Sequence, residues 1–315
     1  MMDPEEFVSE SVEALRSSIE GRAIIACSGG VDSTVAAVLV SKAIEGRLLT
    51  IYVDNGLMRK GETETVIGIL TRLGVNYKIV DAEDEFLDAL KGVIDPEEKR
   101  KIIGEKFIRV FEREAREYDA DFLVQGTIAP DWIESGDHAR DTIKSHHNVG
   151  GLPEDMYLKL VEPLRDLYKD EVRKVARFLG IDVSERQPFP GPALAIRVIG
   201  EATKDSIDIV RKACAIAEEE IEAAVARGEM ELPWQYFAAF LPVMSVGVHG
   251  DQRAYGGTVA IRAVESIDGM SAAYSKIPHD VLDKISRRIT NEMKDRVNRV
   301  VYDITNKPPA TIEWE

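Results

Sequence analysis

The 315-residue chain reads as an α/β protein: a doubly wound parallel sheet followed by a smaller α+β domain. Three observations predict this. Apolar runs of strand length alternate with amphipathic segments of helix length as far as Gly180. The first strand runs through a glycine-containing turn, Cys27-Ser28-Gly29-Gly30-Val31-Asp32-Ser33-Thr34, directly into a helix. Beyond the stiff segment Gln187-Pro188-Phe189-Pro190-Gly191-Pro192, helices and strands cease to alternate.

Val8, Val12, Leu15 and Ile19 recur at helical spacing after Pro4 and give a first helix with one apolar face. Residues 22–27 form the first strand, and the helix after the turn stops near Gly46. Residues 48–54 (LLTIYVD) are a continuous apolar run ending in an acid, as in a strand buried on both faces. Residues 63–73 are helical, with Gly74 closing them, and 75–80 are a third strand. Asp95 caps a long helix, Pro96 occupies its first turn, and Glu97 and Glu98 suit its dipole. Its inner side carries Ile102, Ile103, Phe107, Val110 and Phe111. Residues 121–125 are a fourth strand. From 128 to 158 the periodicity lapses for roughly 30 residues, longer than a compact domain leaves without a role. That stretch is read as a lid or binding loop. A helix over 169–179 ends at Gly180. The second half holds helices over 204–227 and 279–297 and strands over 236–243, 258–264 and 299–303. The domains are expected to run 1–188 and 189–315.

A net charge of −16, from 40 Lys and Arg against 56 Asp and Glu, disfavours non-specific nucleic-acid binding. Any phosphorylated ligand needs a local cluster of cations. Cys27 and Cys214 lie outside any C-x-x-C pattern, which argues against a disulfide framework, a zinc ribbon or a thiol relay. With no signal region and no apolar run of spanning length, the expectation is a cytoplasmic protein without nucleic-acid or membrane partners.

The turn at 28–34 makes an anion cradle. Gly29 and Gly30 let backbone N–H groups turn inward, Ser28, Ser33 and Thr34 add hydroxyls, and the helix N-terminus adds a positive dipole end. No Gly-Lys-Ser/Thr follows, so this is not a Walker A loop. Asp32 fits a phosphate site if a divalent cation bridges the two, or if the acid bonds the loop itself. Ser-Gly-Gly-Val-Asp-Ser resembles the pyrophosphate-binding loop of the N-type ATP pyrophosphatases, which cleave ATP between its α- and β-phosphates. A plain capped turn is the competing explanation. Six matched positions between a strand and a helix weigh against it.

Four further stretches extend the resemblance: Pro130-Asp131-Trp132-Ile133-Glu134-Ser135, Ile143-Lys144-Ser145-His146-His147-Asn148-Val149-Gly150-Gly151-Leu152-Pro153, the PFPGP run at 188–192, and Lys307-Pro308-Pro309-Ala310-Thr311-Ile312-Glu313-Trp314-Glu315. In this order they resemble GMP synthetase, its ATP-pyrophosphatase and dimerisation portions, from about Arg22 onward. The resemblance implies an adenine nucleotide alpha hydrolase-like (PP-loop) first domain and a dimerisation and XMP-binding second domain. It leaves no room ahead of Arg22 for the amidotransferase domain that many members carry. It therefore implies a synthetase subunit that partners a separate glutamine amidotransferase subunit, and a homodimer. One departure stands out: Ala193 and Ala195 follow PFPGP where glycines are expected, and alanine is strained wherever φ is positive.

The implied reaction adenylylates the C2 oxygen of XMP with ATP, releases pyrophosphate, and lets ammonia displace AMP to give GMP. Mg²⁺ is expected, because pyrophosphate carries more charge than backbone donors match. The resemblance assigns the pyrophosphate end of ATP to Ser28, Gly29, Gly30, Val31, Asp32, Ser33 and Thr34. It assigns the adenosine to Val53 and Leu57, where core packing competes, with Gln125 and Gly126 nearby. Asp131 and Glu134 share a helical face suited to a metal or to orienting the base, against a capped helix start; Asp32 and Asp131 are the metal candidates. Lys144, His146 and His147 sit in the lid with Gly150-Gly151 as a hinge and would neutralise phosphate charge. No third His or Cys has the spacing for zinc.

Lys169 opposes the dipole at its helix start, a hint that it serves a ligand. The family uses the positions of Lys169 and Asp170 in adenylation, although Asp170 also suits a helix N-terminus. XMP falls to Arg100, Pro190, Gly191, Arg299, Lys307, Thr311, Ile312 and Glu313, the cations for its phosphate and Glu313 for its base N–H groups. NAD synthetase, also ammonia-using and adenylating, is the alternative within the class, and the lid and tail motifs speak against it. A nucleotide sensor without catalysis is the alternative from another class; Asp32, Lys144 and Lys169 weigh against that.

Overall fold

A computed structural model describes residues 2–134, 158–182, 187–249, 251–267 and 269–315, the side chains of 132–134 and 249 excepted. The chain packs into two compact units. One comprises Met1–Asn55, Gly61–Ala82 and Gly104–Glu185; the other comprises Gly56–Lys60, Glu83–Ile103 and Arg186–Glu315. Packing thus groups two short early segments with the later half, whereas the domain boundary at 188/189 remains a proposal.

In the first unit, β1 (Ala23–Ala26), β2 (Leu48–Asp54), β3 (Tyr77–Asp81), β4 (Phe122–Val124) and β5 (Lys159–Val161) form one sheet. Its order is β3-β2-β1-β4-β5 and every pairing is parallel. From β1 the chain steps one way to β2 and β3, then returns past β1 to β4 and β5. Right-handed crossovers therefore place helices on both faces, and the switch point falls between β1 and β4. The helices are α1 (Pro4–Ser18), α2 (Val31–Ile44), α3 (Glu62–Arg72), α6 (Ala129–Glu134) and α7 (Lys169–Phe178); α4 (Glu83–Ala89) belongs to the second unit and α5 (Pro96–Tyr118) runs through both sets of residues.

Local sequence explains these elements. Asp3 accepts from the Glu5 N–H (3.0 Å) to cap α1, and Pro4 takes its first turn. Asp95 accepts from the Glu98 N–H (2.8 Å), the cap expected for α5. α2 is apolar nearly all round, and Val35, Ala36, Ala37, Leu39 and Val40 are buried, as a helix enclosed by neighbours must be. Ala23, Ile25 and Cys27 join that core with α1, α2 and α7.

The second unit holds a 3₁₀ turn at Ala193–Arg197, α8 (Lys204–Ala226), α9 (His279–Glu292) and a four-stranded sheet. In that sheet β6 (Gln235–His249) and β7 (Gln252–Glu265) pair antiparallel, β8 (Ala273–Tyr274) pairs antiparallel with β7, and β9 (Val297–Tyr302) pairs parallel with β7. Sequence patterning does not reveal β5, β8, α4 or the 3₁₀ turn, all of which are too short to show a period. It also makes the hairpin strands too short, because β6 and β7 continue into exposed residues where burial no longer patterns the chain. Among the described residues, no helix is long and apolar enough to cross a membrane.

Candidate active site

Between the end of β1 and the start of α2 the chain turns through Gly29, whose φ of +79° lies in the left-handed region. A Cβ there would stand 2.6 Å from a methyl of Val66, so glycine is required twice over. Gly30 is the N-cap of α2. Its N–H donates to Ser28 Oγ (3.4 Å), and its carbonyl accepts from Ser33 Oγ (3.2 Å) and Thr34 Oγ1 (2.7 Å). At the neighbouring strand end, a Cβ on Gly126 would lie 2.9 Å from the Ser33 nitrogen and 3.0 Å from the Asp32 carbonyl carbon. Backbone meets backbone at the switch point.

A cleft of about 320 Å³ opens there, lined by Ser28, Gly30, Asp32 and Ser33 on one side and Gln125, Gly126, Thr127 and Asp131 on the other. Gln125 Oε1 is buried with no hydrogen-bond partner among the described residues, an acceptor that a donor on a ligand would satisfy. Asp131 Oδ2 accepts from the Ile128 N–H (3.0 Å), so it caps its own short helix as well as lining the cleft. Burial pushes the Asp32 carboxyl above its ordinary value. Lys169 pulls it back, Asp131 pushes it further, and Arg173 pulls it back. Lys169 and Arg173 stand four apart on α7, hence on one face. The site thus sets two cations against two acids, matching a phosphate chain that carries a divalent metal. Among the described residues no group of three or more His, Cys, Asp or Glu could hold a metal. Mg²⁺ at Asp32 and Asp131 would take its remaining ligands from phosphate and water.

Several expected residues sit differently. Thr34 is 1% exposed and its hydroxyl is committed to the Gly30 carbonyl, because α2 starts early enough to bury it. Val53 and Leu57 are buried and do not line the cleft, the packing alternative raised for them. Asp170 is exposed and pairs with Lys174 at 3.6 Å across one helical turn; it is not among the groups acting on Asp32. The Glu134 side chain, Lys144, His146, His147 and Gly150-Gly151 lie outside the described residues. Sequence reasoning misses Arg173 and Thr127, though the four-residue spacing from Lys169 is a usable signal for the first.

In the second unit, Lys307, Thr311, Ile312 and Glu313 belong to the C-terminal tail, and Arg100 touches its last residue. Arg100 donates to the main-chain oxygen of Glu315 (2.6 Å) and to Glu97 (2.9 Å). Lys307 donates to the Gly269 carbonyl (2.8 Å), and Thr311 Oγ1 to the Glu313 carbonyl. Both Glu313 carboxylate oxygens accept from Arg197, at 2.8 and 3.0 Å, and one also accepts from Gln235 (2.7 Å). That carboxylate is therefore engaged within the chain. Burial is the largest influence and opposes the Arg197 charge, yet the hydrogen bonds and charge of Glu313 together with the nearby Cys214 hold the guanidinium pKa above the ordinary arginine value. Arg299 is exposed on β9, the Pro190 carbonyl accepts from Ala193 N–H (2.9 Å), and Gly191 faces open space. Ala193 has φ of 55°, so the departure from glycine places alanine in a strained conformation.

A parallel sheet with a non-Walker glycine loop at its switch point defines an α/β nucleotide-binding protein of the PP-loop class. Residues 2–119 match the family model described as NAD synthase, and residues 219–314 match the one described as GMP synthase C terminal domain. A Methanopyrus kandleri protein, named as one subunit of a GMP synthase (glutamine-hydrolyzing), is 59% identical over 319 residues, covering 100% of both chains. Its namesake from Thermoplasma acidophilum is 55% identical over 314 residues, again covering 100% of both. A longer GMP synthase (glutamine-hydrolyzing) from Thermotoga petrophila is 56% identical over 316 residues, 98% of this chain and 62% of that protein. The chain belongs to the GMP synthase (glutamine-hydrolyzing) family.

Proposed function

We propose that this chain is a ligase, the synthetase subunit of a GMP synthase. ATP activates the C2 oxygen of XMP as an adenylyl ester, and ammonia then displaces AMP to give GMP. A poor leaving group, an amide-type oxygen, becomes a good one. The observation that carries this reading is the switch-point cleft, lined by the glycine cradle, two acids and the orphaned Gln125 acceptor, with Lys169 and Arg173 near enough for their charges to act on Asp32.

In this reading the backbone N–H groups at 28–33 and the Ser28 and Ser33 hydroxyls hold the pyrophosphate end of ATP. Lys169 and Arg173 stabilise charge that grows on the leaving pyrophosphate. Gln125 accepts a hydrogen bond from the nucleoside. When bound at Asp32 and Asp131, Mg²⁺ supplies charge neutralisation between acid and phosphate. Glu134, Lys144, His146, His147 and Asp170 keep the supporting roles the family resemblance gives them. Arg100, Arg299, Lys307 and the 311–313 stretch take the monophosphate, with Pro190 and Gly191 beside it.

Ammonia comes from a separate amidotransferase subunit, in keeping with the full-length relatives being named as one subunit of their enzyme. The apolar side chains exposed on the β6–β7 hairpin, Val243, Met244, Val246, Val248 and Tyr255, favour a homodimer through the second domain. We place the enzyme in the cytoplasm. The test is purified chain with ATP, Mg²⁺, ammonium and XMP. The expected products are GMP, AMP and diphosphate, with little GMP from glutamine until the second subunit is added. Labelled ATP emerging as ADP and orthophosphate would overturn the assignment.

A further inference from the structure

Two fully buried cations of the second unit have no place in the reaction set out above. Lys99, in the first turn of α5 and 0% exposed, donates to the main-chain oxygens of Val198 (2.8 Å) and Ala195 (3.3 Å) and to the carboxylate of Glu315. Arg197, also 0% exposed, grips both oxygens of Glu313 and lies over the rings of Phe237 (4.2 Å) and Phe189 (5.2 Å). A charge is buried at tolerable cost only where a countercharge and further hydrogen bonds meet it. Each carboxylate also receives a further donor: Gln235 Nε2 on Glu313 (2.7 Å) and the Gly200 N–H on Glu315 (3.2 Å).

The consequence reaches the monophosphate residues. Arg100 follows Lys99 in sequence and donates to the main-chain oxygen of Glu315 (2.6 Å), so the residue that neutralises Lys99 also holds the Arg100 guanidinium. Buried Arg262 secures the same tail through the carbonyls of Thr311 (2.7 Å) and Ile312 (2.8 Å). Arg100 and the 311–313 stretch are each one contact away from a buried cation.

We propose that Lys99 and Arg197 are positioning residues for the nucleotide monophosphate: by clamping Glu315 and Glu313 from inside the unit, they fix Arg100 and the 311–315 tail in the geometry that receives it. This rests on the reading that Arg100 and the tail bind that substrate, and a control separates the two ideas.

Initial rates of the full chain, with XMP as the probe, are measured for Arg197→Lys, Glu315→Gln and the paired variant Lys99→Met/Glu315→Met. The KM for XMP is expected to rise about tenfold in each, while the KM for ATP and kcat at saturating XMP stay within about twofold. In the paired variant the buried charges are removed together, so its melting temperature is expected to return toward wild type while the XMP defect persists. The paired variant carries the test if Arg197→Lys fails to fold, because it removes both members of a buried ion pair and leaves no charge uncompensated. An unchanged KM for XMP, or parallel rises for XMP and ATP, would overturn the proposal. Arg100→Ala is the control. If it leaves the XMP KM unchanged, the site reading itself fails; if it raises that KM and the clamp variants do not, only the positioning role is lost.

Discussion

At the end of β1 the polar groups come from consecutive residues, Ser28 to Ser33, and face a cleft with unspent capacity: an acid pushed toward its neutral form and a buried acceptor lacking a donor. Around Glu313 they come from positions far apart in sequence, and they satisfy one another through Arg197, Gln235, Lys99 and Arg262. The first region stores its interactions for a ligand. The second spends them on shape. Substitutions in the first should therefore damage chemistry more than stability, and substitutions in the second should do both.

The largest effect is expected at Asp32. Asp32→Asn keeps volume and hydrogen bonding but removes the charge that would hold a metal among phosphates. Diphosphate release should fall by about two to three orders of magnitude with an unchanged far-ultraviolet spectrum. A variant near wild-type rate would erase the contrast between the regions.

Gly126→Ala probes the same cleft from its other wall. Its methyl would press on the backbone of Asp32 and Ser33, at 2.9 to 3.1 Å, with no side chain there to move aside. A loss of about 1–3 kcal/mol is expected from overpacking, with a raised KM for ATP, measured by denaturant melts and initial rates.

The contrast also explains what the sequence discloses. The sheet and cradle are legible because their determinants are local: LLTIYVD is a buried strand by itself, and the Ser-Gly-Gly-Val-Asp-Ser turn contains its own glycines and cap. Arg197 and Glu313 stand 116 positions apart, so neither neighbourhood signals the pair. Lys99 reads as one more charge on an amphipathic helix, and only the fold reveals that its turn faces Val198 and Glu315. Thr34 misleads for a related reason. A hydroxyl one turn into a helix can face ligand or backbone, and the onset of α2 at Val31 decides for the backbone.

The Ala193–Arg197 turn allows the second region's shape to be tested by itself. Ala193 and Ala195 are both buried, but only Ala193 has positive φ. Each change to glycine forfeits a buried methyl, about 0.8 kcal/mol, and adds about 0.5–1 kcal/mol of backbone entropy. At Ala193 the relief of left-handed strain, about 1–2 kcal/mol, offsets both. Ala195→Gly should thus destabilise by about 1.5 kcal/mol and Ala193→Gly by close to nothing. Equal losses in denaturant melts would remove the strain.

The smallest effect returns to Asp32 and concerns pH. Its folded-state pKa is raised from 3.8, chiefly by burial, with Lys169 and Arg173 only partly compensating and Asp131 adding to the rise. Between 3.8 and the raised value the folded chain binds more protons than the unfolded one, so this group makes stability fall as pH rises through that window. Above the window the penalty is complete, and below 3.8 it vanishes. Asp32→Asn, which never ionises, should therefore melt a degree or two higher than wild type at neutral pH in the absence of nucleotide, about the size of a modest change for a chain of this length. That advantage should shrink to nothing as the pH approaches 3.8. Magnesium and ATP should close the difference from the other direction at neutral pH, because a bound cation stabilises the ionised Asp32 beyond what Lys169 and Arg173 supply. A variant that melts lower than wild type throughout would mean that the carboxylate is already stabilised without ligand, and that the two regions are built alike.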